Sequence, residues 1–178
     1  MTAAALSLSA DDFTLLGLPR RFALERAALD ARWKDLLREA HPDKFAVQGA
    51  AAQRVALQWS VRINEAYQRL KDPLRRATYL CQLQGHDILA ESNTAMPASF
   101  LMQQMQWRET LDEATSAEDL DVLRTAVAVS ERQGLQVLAQ SIDHEQNFLR
   151  AVEQVRSLMF IQRFLHDIDA RTDALEQG

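Results

Sequence analysis

Two stretches with apolar residues at helical spacing, 24–40 and 50–70, are separated by Pro42, and this break constrains the fold more than any other feature. Proline disfavours α geometry in the residue before it, so the first helix must end at His41. Leu29, Trp33, Leu36, Leu37 and Ala40 share one face of the first stretch, at spacings of three and four. Val55, Trp59, Ile63, Ala66 and Leu70 make the matching stripe of the second. Two such faces can bury each other only if the chain turns back on itself. The expectation is an antiparallel helical hairpin with His41-Pro42-Asp43-Lys44-Phe45 at its corner and a loop over 45–49.

Composition narrows the class. The chain has 178 residues, 47% of them hydrophobic, with only five glycines and four prolines. Leu, Ala, Gln, Glu and Arg are good helix formers, and little material remains for hairpin turns, so the chain is read as all-α. No stretch approaches the roughly eighteen unbroken apolar residues of a membrane span. A net charge of −5 and a pI near 5.4 argue against a general nucleic-acid binder, which carries a basic excess. Cys81 is the single cysteine, so an internal disulfide and a multi-cysteine zinc site are excluded and a reducing, cytoplasmic home is expected. Residues 1–10 lack a cationic stretch followed by an apolar core, and contain no Arg; they are read as a short frayed tail rather than a targeting segment.

Asp11 and Asp12 open a first short element holding Phe13, Leu15 and Leu16, and Pro19 closes it. Lys34 and Arg38 form an i, i+4 cationic pair on the solvent side of the first long helix. The Lys71-Asp72-Pro73 step ends the second helix, and a shorter one follows over 74–83 until Gly85. Residues 86–97, with Ser92-Asn93-Thr94 and Pro97, read as a linker. Three further helices are expected over 98–114, 117–141 (with a bend near Gly134) and 143–176; their short connections imply a three-helix bundle. The domain organisation is thus 1–84, a linker over 85–97, and 98–178.

His41 and Asp43 admit three readings. As an acid/base pair they lack a third orienting group and a Gly-rich turn to supply oxyanion donors. As a structural loop, Asp43 would satisfy backbone donors. As a recognition element, the stiff corner would engage a cationic groove of another protein.

The third reading is favoured by a resemblance. A helix with outward Lys34 and Arg38, the His41-Pro42-Asp43 loop and a return helix resemble a J-domain. More narrowly, the whole chain resembles the HscB family of J-type co-chaperones for iron–sulfur cluster assembly. The carrying stretches are Asp12-Phe13-Thr14-Leu15-Leu16-Gly17-Leu18-Pro19, His41-Pro42-Asp43-Lys44-Phe45, Ile63-Asn64-Glu65-Ala66-Tyr67-Gln68-Arg69-Leu70, Pro73-Leu74-Arg75-Arg76-Ala77-Thr78-Tyr79-Leu80 and Phe100-Leu101-Met102. The resemblance implies an N-terminal J-domain and a C-terminal three-helix bundle. It further implies that His41, Pro42, Asp43, Lys44, Lys34 and Arg38 contact a DnaK-type, HscA-like chaperone and stimulate its ATP hydrolysis, the chain itself cleaving nothing. Asp43 suits a bidentate arginine contact, and the cations would steer toward an acidic patch.

On the first bundle helix Phe100, Trp107 and Leu111 share a face, while Leu101 and Met105 lie roughly 100–140° away, with Met102 further round. A helix wedged between two others explains such a double stripe; so does an exposed patch kept for a partner. The resemblance implies the second, with Leu101, Met102, Met105 and Phe160 binding an IscU-type iron–sulfur scaffold protein and Glu109 as a further contact. Family members often carry Leu and an acidic residue where this chain has Met105 and Gln106. Phe160 stands about 100° off the expected Phe148, Val152, Val155, Met159 stripe. His86 is read as part of a linker turn, His144 as sitting at a helix start, and the charges of 167–173 as a solvated face. No histidine pair has ligand spacing, so neither a metal nor a cofactor is expected. Two rivals are a general J-protein delivering unfolded clients, disfavoured by the lack of a Gly/Phe-rich linker, and an enzyme built on His41 and Asp43.

Overall fold

The computed structural model describes residues 8–88 and 96–177. The expected tail is therefore described only from Leu8 and the expected linker only at its two ends; residues 1–7 and 89–95 lie outside the described residues. Among the described residues there are seven α-helices and no strand: α1 (Asp12–Leu16), α2 (Arg26–Glu39), α3 (Ala50–Lys71), α4 (Pro73–Leu83), α5 (Ala98–Glu113), α6 (Ala117–Ala139) and α7 (Phe148–Gln177). The chain divides into two compact units, Met1–Leu80 and Cys81–Gly178. No described helix is long and apolar enough to cross a membrane.

In the first unit α2 and α3 form the hairpin, and α1 packs against both. Asp11 caps α1, accepting from the Phe13 and Thr14 amides at 3.1 Å each. Gly17 ends that helix with φ 63, where a side chain would also press on Arg32. Phe13, Leu15 and Leu16 fill the base of the hairpin, buried against Leu29, Leu36, Ile63, Ala66 and Leu70. Asp12 is fully buried, its carboxylate held between Arg62 at 2.6 Å and Arg69 at 2.7 Å. A buried charge is tolerable only with such partners, and this one ties the five-residue α1 to α3. Across the hairpin Trp33 stacks on Tyr67 at 4.3 Å, and its indole donates to Asn64 Oδ1 at 2.9 Å. Asp72 ends α3, and its carboxylate accepts from the Arg75 amide at 2.8 Å to start α4, with Pro73 in the first turn.

Two local expectations are corrected. The expected loop over 45–49 is most of a 3₁₀ helix, Pro42–Gln48, started by the fixed φ of Pro42. Val55 is 51% exposed rather than core. The place facing the corner goes to Ala56, with Ala52 and Ser60 one turn on either side, because only small side chains let the 3₁₀ helix lie close on α3.

In the second unit α6 packs along α7, and α5 lies across them through aromatic contacts. Phe100 meets Trp107 and Phe160 edge-on at 6.2 and 5.9 Å; Trp107 and Phe160 each stack on Phe164, at 5.9 and 5.8 Å. Val127, Leu138, Ala151, Val155, Leu158, Ile161 and Ile168 complete the core. A capping box at Ser116 and Asp119 starts α6. Gly134 marks close packing instead of the expected bend: a Cβ there would sit 2.9 Å from the buried Leu158 side chain. The last helix starts at Phe148, five residues later than expected. A π turn, Gln140–His144, extends α6, Gln146 adopts φ 52, and Asn147 Oδ1 accepts from the Arg150 amide at 3.1 Å as the cap. His144 thus ends a turn rather than opening a helix. Residues 86–88 are packed: His86 stacks on Phe148, and the buried Ile88 accepts through its carbonyl from Arg156 Nε at 2.9 Å. Within the late charged run, Asp169 pairs with Arg124 of α6.

Candidate partner-binding surfaces

The first surface is the corner between α2 and α3. His41 is extended, at φ −64 and ψ 126, as the residue before proline must be. That places His41 at the N-cap of the 3₁₀ helix, where its Nδ1 accepts from the Asp43 amide at 3.3 Å. With Nδ1 as acceptor, Nε2 carries the proton of the neutral ring. The backbone closes the turn through the Lys44 amide, which donates to the His41 carbonyl at 3.0 Å. The Ser60 hydroxyl of α3 lies 3.2 Å from the carbonyl of Ala40, where α2 ends. Ser60 was not singled out by sequence; its signal is the Ala52, Ala56, Ser60 spacing of four.

This geometry overturns the structural reading of Asp43. The ring of His41 does the capping, and the Asp43 carboxylate, 3.6 Å from Nδ1, is 89% exposed. Asp43 is therefore a charged acceptor presented to solvent on a stiff turn. Lys44, Lys34 and Arg38 are also exposed, and Pro42 is half-buried. Arg38 lies 3.6 Å from Asp35, so part of its charge is answered within α2.

The second surface is on α5. Leu101, Met102 and Met105 are 47%, 68% and 72% exposed, while Trp107 on the opposite stripe is buried. The wedged-helix explanation of the double stripe fails, because only one stripe is covered within this unit. Phe160 is half-buried and belongs to the aromatic cluster, and Arg108 lies 5.5 Å from its ring centre. Arg108, one turn beyond Met105, was missed by sequence because nothing in its spacing reveals a contact to a distant helix. The expected α7 stripe is corrected at Met159, which is 39% exposed; Leu158 and Ile161 take the buried positions. Glu109 is exposed.

Among the described residues no three His, Cys, Asp or Glu side chains are grouped to hold a metal ion. Cys81 is buried, and that burial pushes its thiol up to about 11, away from the reactive thiolate.

Residues 96–169 match the family model of the HSCB C-terminal oligomerisation domain. The co-chaperone protein HscB homologs of Burkholderia multivorans and Paraburkholderia xenovorans are 45% and 46% identical to this chain. Each match covers 96% of this chain, and 99% and 98% of the relatives respectively. The chain belongs to the HscB family. Solved structures agree. Chaperone HscB from Vibrio cholerae matches with a TM-score of 0.74 at 36% identity, over 93% of this chain and 99% of its own. Human co-chaperone protein HscB matches with a TM-score of 0.82 at 25% identity, over 91% of this chain and 82% of its own. The corner and the exposed α5 stripe are thus features of an HscB-type J-domain and C-terminal bundle.

Proposed function

We propose that this HscB-family chain is a J-type co-chaperone of iron–sulfur cluster assembly that stimulates ATP hydrolysis by a DnaK-type, HscA-like chaperone and delivers an IscU-type scaffold protein to it. Residues 1–84 act as the J-domain and 98–178 as the scaffold-binding bundle, joined through 85–97, in the cytoplasm and with no catalysis by the chain itself. His41, Pro42, Asp43 and Lys44 form the chaperone contact, with Lys34 and Arg38 steering the approach. Leu101, Met102, Met105 and Phe160 grip the scaffold, with Glu109 at the rim. The mechanism is proximity, since one molecule holding both partners makes their encounter effectively intramolecular.

The observation that carries this reading is the Asp43 carboxylate, 89% exposed on a corner held by ring and backbone hydrogen bonds. A preorganised anion loses little entropy on docking and suits a guanidinium partner. The test measures scaffold-dependent ATPase stimulation and scaffold affinity in parallel. Asp43→Asn should remove at least about tenfold of the stimulation, the order expected for losing one charged interfacial contact, and leave scaffold affinity unchanged. Full stimulation by Asp43→Asn would overturn the reading.

A further inference from the structure

Methionine is ordinarily among the most buried residue types. Met96, Met102, Met105 and Met159 are the four methionines among the described residues; all lie in the second unit, and none is buried. Met102 and Met105, 68% and 72% exposed, form the most open part of the α5 stripe. Met159 is 39% exposed on α7, and the half-exposed Met96 sulfur accepts from the Gln104 amide at 3.3 Å. The core of the unit is built instead from Leu, Ile, Val, Ala and aromatic side chains, with the one thiol, Cys81, buried and pushed up to about 11, away from the reactive thiolate.

We propose that Met102 and Met105 are a reversible oxidation site through which hydrogen peroxide, or a related hydroperoxide, disables the α5 grip without unfolding the protein. The inference rests on the reading of this stripe as the scaffold-binding surface. In the reaction the thioether sulfur attacks the peroxide, the O–O bond breaks, and an S=O bond forms. Sulfur is oxidised by two electrons while hydrogen peroxide is reduced to water, or an organic hydroperoxide to its alcohol. The product is polar and chiral, and burying it without a hydrogen-bond partner is unfavourable where a flexible apolar side chain bound well. Because neither sulfur supports the core, the bundle outlasts the modification, and methionine sulfoxide reductases restore the thioether.

The test uses the full chain and a purified IscU-type scaffold. Peroxide treatment should place oxygen on Met102 and Met105, located by peptide mass. Scaffold affinity should then fall at least about tenfold with the thermal midpoint unchanged, and reductase treatment should restore it. The double variant Met102→Leu, Met105→Leu, whatever its starting affinity, should lose none of that affinity on the same treatment. Bound scaffold should slow oxidation of both residues. Undiminished affinity of the doubly oxidised chain, or equal loss in the leucine variant, would overturn the oxidation site while leaving the surface intact. Absence of binding by the untreated chain would instead refute the surface itself, and the inference with it.

Discussion

His41 and Asp43 divide two tasks between adjacent groups. The imidazole satisfies the Asp43 amide, so the carboxylate has no structural duty and remains available to a partner. Asp11 shows the opposite arrangement. Partial burial raises its pKa, but hydrogen bonds from Arg20 and Thr14 outweigh this and hold the carboxyl at about 2, against an ordinary 3.8. Arg20 and the Thr14 hydroxyl each lie 2.6 Å from Asp11 Oδ2. A carboxylate with a depressed folded-state pKa contributes stability above its unfolded value and loses it as pH falls through the folded value. The α1 cap should therefore weaken between about pH 4 and pH 2, where this carboxylate takes up its proton. Asp11→Asn keeps a capping oxygen but no charge; it should be less stable than wild type by on the order of 1 kcal/mol at neutral pH, allowing for the solvent exposure of Arg20. Thermal melts of both proteins across that range should show the gap closing as pH falls. A constant gap would mean that the charge contributes nothing.

At the scale of elements, much of the hairpin was legible because its cause is local. Pro42 sets a boundary, periods of three and four mark the facing stripes, and Asp72-Pro73 marks the next break. Trp33 against Tyr67, clasped by Asn64, gives physical content to part of the motif that carried the family resemblance. The exposure of Val55 was not legible, since it depends on the 3₁₀ helix needing small residues beneath it. Nor was the π turn, whose unusual hydrogen bonding has no local signature. The start of α7 could have been placed better, because Asn147 is a strong capping residue three positions before the amide it accepts from. On α5 the double stripe was visible, but only the packing shows which stripe stays bare. Phe160, expected beside Leu101 and Met105 in one patch, is also part of the aromatic cluster. The three residues should therefore separate in a denaturant titration. Leu101→Ser and Met105→Ser should change stability by less than about 0.5 kcal/mol, whereas Phe160→Ala should cost about 1–3 kcal/mol. Equal costs at all three positions would put Leu101 and Met105 in the core.

For the molecule as a whole, two binding surfaces on one chain have a consequence that neither has alone. A chain with a disabled corner and an intact grip still occupies the scaffold. Asp43→Asn protein added in about tenfold excess should therefore suppress scaffold-dependent stimulation by wild type roughly tenfold, by simple competition. Adding Leu101→Ser and Met105→Ser to the same chain should abolish the interference. If both proteins interfere equally, or neither does, the bridging mechanism is wrong.

The three tryptophans fall unevenly along the chain. Trp33 and Trp59 belong to the first unit; Trp107 belongs to the second, its indole flat against Phe164 in the bundle core. With Trp33 and Trp59 replaced by phenylalanine, tryptophan emission would come from the bundle alone, both tyrosines, Tyr67 and Tyr79, lying in the first unit. The chain thus carries a native optical probe seven residues from Phe100 on the same helix as the bare stripe, able to register an arriving partner without any attached dye.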